Sequence, residues 1–295
     1  MFDPRSPYHR RMWHYESDRP LSVAQLVSLG SLDARTAALL WLLIERHHSL
    51  IVSGPTDPTP GVGKTTTLNA LLGFLPNGST LVYTTGMYED FDFVSEVRPE
   101  TTCVLANEVS DHLPIYMWGR VARQLLRLPA DGFAIATSCH ADMVTDVLSM
   151  LARDLRLPAG DIRRLGVIVN IGLVGRAWPP RRRFLTVNLL RPEPPAGEAR
   201  ADDGYGVSLL PLATWEPKSD TFTPLDEAGL AEVAALLGMT PESCADALNR
   251  RCAYIETLAD GRGVGVRALR EALDEFAAAE AGGGASGGAA SADAP

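Results

Sequence analysis

The feature that most constrains this chain is the run Gly61-Val62-Gly63-Lys64-Thr65-Thr66. It lies between a short apolar stretch, Ser49-Leu50-Ile51-Val52-Ser53, and a helical stretch, Thr65 to Leu72. Strand, glycine loop and helix in that order make a mononucleotide-binding unit. Glycines let backbone N–H groups approach phosphate oxygens, a lysine adds a mobile cation, and the helix contributes its positive dipole end. Gly54, Gly61, Gly63, Lys64, Thr65 and Thr66 form the candidate phosphate-binding set, with the Thr65 hydroxyl suited to Mg²⁺. The usual spacing puts a glycine where Pro58 stands, so Gly54 is the natural first glycine and the loop is about four residues too long. The surplus, Asp57-Pro58-Thr59-Pro60, brings two residues without N–H and a carboxylate near a triphosphate. It keeps open a second reading, a phosphate-loop fold that has lost its nucleotide.

Further apolar strands are expected at 79–83, 102–106, 132–137, 167–171 and 184–190, with helical stretches between several of them. Short buried strands alternating with helices predict an α/β fold with a mainly parallel sheet covered on both faces. Residues 184–190 are expected to pair with 167–172 at the sheet edge. Ahead of the loop, Val23, Leu26 and Val27 mark a helix closed by Gly30, and Ser31 is expected to cap a second helix carrying Leu40, Trp41 and Ile44. The chain divides into an N-terminal arm and helical lead-in (1–48), a nucleotide-binding core (49–191), a linker (192–225), a small helical appendage (226–278) and an Ala/Gly-rich tail (279–295) too poor in bulk to pack.

Composition limits the function classes. With 27 basic against 36 acidic residues the net charge is −9, which disfavours general attraction to nucleic acid or an anionic membrane. Hydrophobic residues at 46% and charged residues at 21% are those of a folded globular chain. The four cysteines, at 103, 139, 244 and 252, have no zinc-ligand spacing and read as reduced thiols. The first residues contain no apolar segment, so neither a signal peptide nor an anchor is expected, and the cytoplasm is the expected compartment.

Two strand ends carry further chemistry. Val104-Leu105-Ala106-Asn107-Glu108 ends in an acid at the position where a carboxylate could polarise water or order a magnesium shell. Thr137-Ser138-Cys139-His140 ends in a histidine. Taken singly, the acid is as readily a solvated strand end, and an isolated histidine at a strand end is more often a surface or core residue than a catalytic one.

The order of motifs resembles the secretion ATPases of type II and type IV secretion, type IV pili and archaella. The lead-in Leu40-Trp41-Leu42-Leu43-Ile44-Glu45, the strand Ser49-Leu50-Ile51-Val52-Ser53-Gly54 and the helix Gly63-Lys64-Thr65-Thr66-Thr67-Leu68-Asn69-Ala70-Leu71-Leu72-Gly73-Phe74-Leu75-Pro76 carry it. Arg98-Pro99-Glu100, the Glu108 strand, Thr137-Ser138-Cys139-His140-Ala141-Asp142 and Arg181-Arg182-Arg183 are similar to later boxes of that family.

The resemblance implies a RecA-like P-loop NTPase that binds ATP with Mg²⁺. Glu108 would activate water and hold Mg²⁺ through it, His140 would sense the γ-phosphate, and Glu89 would stand for an acidic box. It also implies a homo-oligomer, a hexamer in the family, working at the inner face of a membrane against a platform protein. No direct nucleic acid partner is expected. The family's arginine-bearing stretch between the phosphate-loop helix and the acidic strand is missing, and Asn107 and Ser110 replace its glycine and arginine. A non-catalytic nucleotide-binding assembly or regulatory subunit is therefore an alternative. An AAA-type ATPase is a further one, without the paired acids that would support it.

Overall fold

The computed structural model describes residues 20–55, 61–111, 113, 116–175, 178–192 and 205–283. The N-terminal arm, the surplus Asp57-Pro58-Thr59-Pro60 and residues beyond 283 lie outside the described residues, while 279–283, expected as tail, belong to the last helix, where Glu280 pairs with Arg250 and Arg251.

Two helices lead in. In α1 (Val23–Ser28) Ser22 and Gln25 form a reciprocal capping box, Gln25 N donating to Ser22 Oγ at 3.1 Å and Ser22 N to Gln25 Oε1 at 3.0 Å. The helix α2 (Ala34–Glu45) is capped by Asp33, whose Oδ1 accepts from Thr36 N at 2.8 Å. Ser31 does not cap it, contrary to expectation. Its carbonyl accepts instead from Phe184 N, which ties the turn to the sheet.

The strands follow the expected order: β1 (Leu50–Gly54), β2 (Thr80–Tyr83), β3 (Thr102–Leu105), β4 (Ala134–His140), β5 (Val167–Val174) and β6 (Arg181–Leu190). The helix α3 (Lys64–Leu71) follows β1, and α4 (Gly119–Arg127), α5 (Val144–Ser149) and α6 (Ala159–Ile162) lie between later strands. Residues 209–224 are not linker. They form β7 (Leu209–Glu216) and β8 (Thr221–Pro224), so β6 is an inner strand and β8 is the edge. The eight strands lie in the order β2-β3-β4-β1-β5-β6-β7-β8, parallel from β2 to β5 and antiparallel beyond.

Because side chains alternate along a strand, β1 feeds two cores. Leu50 and Val52 join the cluster containing α2, α3 and the C-terminal helices, and Ile51 joins the opposite one around Val104, Leu125, Leu151 and Ile168. With both faces covered, β1 is buried along its whole length.

The C-terminal helices α7 (Glu227–Leu236), α8 (Pro241–Ala259) and α9 (Val266–Gly283) do not stand apart from the core. Ala247, Leu248, Ile255 and Leu269 share the cluster of Leu40 and Trp41. Arg251, 5% exposed, clamps the junction: its Nη2 lies 2.8 Å from both Glu45 Oε1 and Glu280 Oε2, and its guanidinium carbon lies 4.9 Å from the Trp41 ring centre.

Candidate nucleotide site at the carboxyl ends of β1, β3 and β4

The chain leaves β1 through α3 to the far edge at β2, returns through β3 to β4, and then resumes on the other side at β5. The sheet therefore reverses direction at β1, and crevices outside the carboxyl ends of parallel strands at such switch points are where open α/β sheets bind ligands.

Gly54 closes β1. A Cβ there would stand 2.8 Å from the Ile171 carbonyl oxygen and 3.1 Å from Val62 Cγ2, so the loop can fold back over the strand only on glycine. Gly63 begins α3 in the left-handed region, φ 96°, without a side-chain cap. Its carbonyl already accepts from Thr67 N at 2.9 Å, while the first-turn N–H groups of the helix have no carbonyl within the helix to meet. Lys64, Thr65 and Thr66 are half-buried in that first turn.

The register of the sheet brings the other candidates here. His140 is the direct partner of Gly54 across the β1–β4 pair, and Ala141 N donates to Gly54 O at 3.3 Å. On the other side of β4, Val109 bridges Cys139, its N–H donating to Ser138 O at 2.8 Å, and Ser138 Oγ donates to Asn107 O at 2.8 Å. His140 thus stands between the phosphate loop and Glu108 because β4 stands between β1 and β3.

The three side chains meet in a line. Lys64 Nζ lies 3.0 Å from His140 Nδ1, and His140 Nε2 lies 2.7 Å from Glu108 Oε1. An ammonium can only donate, so Nδ1 accepts and the imidazole proton sits on Nε2, facing the carboxylate. Lys64 Nζ also reaches the Pro55 carbonyl at 3.5 Å. Burial lowers the Lys64 pKa from the ordinary lysine range, with the Glu108 charge acting in the opposite sense. Cys139, buried beneath the line, has its thiol pushed up to about 12 by the same burial and is an inert packing group.

Glu89 has other partners. In the turn after β2 its Oε2 accepts from Thr85 N at 2.7 Å and Thr85 Oγ1 at 3.2 Å, and its Oε1 accepts from Phe91 N at 3.0 Å. Among the described residues these bonds make it a turn-forming carboxylate.

Two residues beyond the sequence-based set also reach the site. Asn170, 3% exposed near the middle of β5, donates from Nδ2 to Ser53 Oγ at 3.0 Å and Ala141 O at 3.3 Å, joining the ends of β1 and β4. Arg182, on β6, donates from Nη2 to Gly61 O at 2.9 Å. A buried polar residue in an apolar strand was the available signal for Asn170, and a strand-leading arginine run was the signal for Arg182.

Residues 16–86 match the family model described as Type II/IV secretion system protein. The resemblance to the secretion ATPases holds over that segment. It takes in the lead-in helices, the phosphate loop and β2, while Glu108 and His140 lie beyond it. Two uncharacterized proteins of Methanocaldococcus jannaschii are similar to the chain. MJ0900 is 43% identical over 65 residues, which is 22% of this chain and 11% of that protein. MJ1287 is 24% identical over 254 residues, 79% of this chain and 90% of that protein. The chain thus matches only a small part of the first relative and nearly the whole length of the second.

Proposed function

We propose that this chain is a divergent secretion-type ATPase of the RecA-like P-loop kind, binding MgATP at the carboxyl ends of β1, β3 and β4. The observation that carries the reading is the Lys64–His140–Glu108 line at the head of α3. It puts a cation, a neutral imidazole and a carboxylate in one place, where phosphate loop and switch point coincide.

In this reading the backbone of Gly61 and Gly63 and the first turn of α3 receive the phosphates, and Lys64 turns from His140 toward them. Magnesium needs few protein ligands when it arrives on phosphates, so one hydroxyl, Thr65, and one carboxylate, Glu108 acting through water, suit it. Bound there, it would offset phosphate charge. Glu108 takes a proton from the attacking water, and His140, released by Lys64, reports the terminal phosphate to the carboxylate. Glu89 serves by holding the β2 turn beside the site.

The motion so driven would act in an oligomer, a hexamer as in the secretion ATPases, at the cytoplasmic face of a membrane and against a platform protein. Among the described residues no helix is long and apolar enough to cross a membrane. The lengthened loop between Gly54 and Gly61 favours a second reading, a nucleotide-binding assembly subunit without turnover.

Phosphate release from MgATP by the purified protein, with Lys64→Ala as control, separates the two. Turnover lost in the variant supports the motor. Stabilisation by MgATP without turnover supports the second reading, since a ligand at a hundred times its Kd adds about 2.7 kcal/mol to the folded state. No thermal shift with millimolar MgATP overturns both.

A further inference from the structure

We infer that Arg182, on the strand β6, is a further phosphate-binding residue of this site, supplying from within the same chain a second cation beside Lys64. The inference rests on the nucleotide-binding reading above.

It starts from the alternation of a strand. Arg181, Arg182 and Arg183 open β6, so the first and third point to one side and the second to the other. Asp220, in the turn between β7 and β8, takes the outer two. Arg181 Nη1 lies 2.6 Å from Asp220 Oδ2, while Arg183 Nε and Nη2 lie 2.8 and 2.9 Å from Oδ1 and Oδ2. Trp215 Nε1 donates to the same carboxylate at 2.8 Å. The Arg183 and Trp215 hydrogen bonds hold the Asp220 carboxyl well below the usual carboxylate range, as expected of an anion fixed between cations.

Arg182, on the opposite side, lies against Gly61 and Gly63 at the head of α3. Its Cδ and Nε lie 3.4 and 3.5 Å from where a Cβ on Gly63 would stand, and its Nη2 donates to Gly61 O at 2.9 Å. Gly63 is the residue from which α3 starts, the end of a helix that receives anions. Among the described residues that bond to Gly61 O is the one protein hydrogen bond of the Arg182 side chain, which leaves further guanidinium donors beside the loop.

The charge balance calls for such a group. Lys64 and Glu108 have opposite signs, and His140 as the neutral imidazole adds nothing, whereas a magnesium-bound nucleoside triphosphate remains an anion. A planar guanidinium matches phosphate oxygens in pairs, which a lysine does not.

Calorimetric titration with magnesium and adenylyl imidodiphosphate tests this on the full chain. Arg182→Gln keeps a donor for Gly61 O but removes the charge, Arg182→Lys keeps the charge, and Arg181→Gln removes a neighbouring charge that faces Asp220. We expect Arg182→Gln to weaken binding roughly tenfold, with Arg182→Lys between it and the wild type and Arg181→Gln unchanged. Ligand-free melts of the three variants show whether each is folded. A folded Arg182→Gln protein that binds like the wild type overturns the inference and leaves the nucleotide site standing, with Arg182 a tie for the loop. Equal weakening by Arg181→Gln also overturns it, because surface charge in general would then be responsible. If the wild type itself does not bind, the nucleotide-binding reading falls and the inference with it.

Discussion

Lys64 Nζ and His140 Nδ1 stand 3.0 Å apart, although 76 residues separate them in sequence. The lysine is held by an imidazole whose other nitrogen faces Glu108 at 2.7 Å. On the proposed nucleotide-binding reading, nucleotide and His140 compete for the lysine. Replacing His140 with Ala removes that competitor and also the group beside the carboxylate. The expected outcome is MgATP affinity equal to or a few times tighter than wild type, with turnover lower by about two orders of magnitude. Titration and phosphate release on the same preparation check both halves, and loss of affinity in parallel with rate would contradict the competition.

Glu108 is 6% exposed, and the main chain around it is fixed on both sides: its carbonyl accepts from Met117 N, and Val109 N donates to Ser138 O. Glu108→Gln keeps that shape and cannot accept a proton. Turnover should vanish with nucleotide binding largely intact. Hydrolysis at the wild-type rate would reduce Glu108 to a strand-end acid.

Gly54 bears on folding and site alike. A methyl group there meets the Ile171 carbonyl oxygen at 2.8 Å and the buried Val62 side chain at 3.1 Å. Backbone cannot yield cheaply, so Gly54→Ala should destabilise by about 1–3 kcal/mol. The midpoint of urea unfolding measures it, and an unchanged midpoint would mean that the loop relaxes without cost.

The strand order explains what the sequence could and could not reveal. Residues 50–54, 102–105 and 167–174 are apolar and bounded by turns, so their strands were legible, as was the phosphate loop. The strand β7 was not, because Pro211 interrupts it and a proline argues against an inner strand. Here the pairing register with β6 shifts beside Asn188, the partner of Pro211, and the bulge accommodates it. Ser31 is a good capping residue by type, but Asp33 stands closer to the helix and Ser31 is committed to Phe184. Glu108 and His140 were visible one at a time. Their meeting depends on β4 lying between β1 and β3, a consequence of long-range pairing that no local pattern encodes. Arg182 differs from Arg181 and Arg183 only through strand alternation, and through an Asp220 that lay in what read as linker.

Arg251 joins three helices through Glu45 and Glu280 and lies over the rings of Trp41 and Phe276. Desolvation raises the Glu45 pKa despite the arginine, so this carboxylate depends on its partner. Arg251→Ala leaves it buried without the cation and should cost about 3–5 kcal/mol, whereas the less buried outer pair Arg250–Glu280 should cost under about 1 kcal/mol on Arg250→Ala. Equal losses in the two variants would show that the buried position of Arg251, by charge or by packing, adds nothing beyond an exposed ion pair.

His48 gives the fold a predictable response to acid. It follows α2 and leads into β1, and burial lowers its pKa from 6.5 to about 4, with the neighbouring His47 adding to the shift. The unfolded chain binds a proton at this residue below about pH 6.5, while the folded chain stays neutral there until about pH 4. Between those values the unfolded state holds more protons, so stability falls as pH falls through the window and is fully retained above it. The loss attributable to His48 amounts to at most roughly 3 kcal/mol, less to the extent that water reaches the ring. Carboxylates also titrate near the lower limit, so the informative quantity is the difference between wild type and His48→Gln, not the wild-type slope alone. Urea unfolding at pH 7, 6, 5 and 4.5 should give a shallower decline for the variant across the upper part of the window, where carboxylates contribute little. Parallel declines would mean that His48 takes up its proton in the folded state as readily as in the unfolded one.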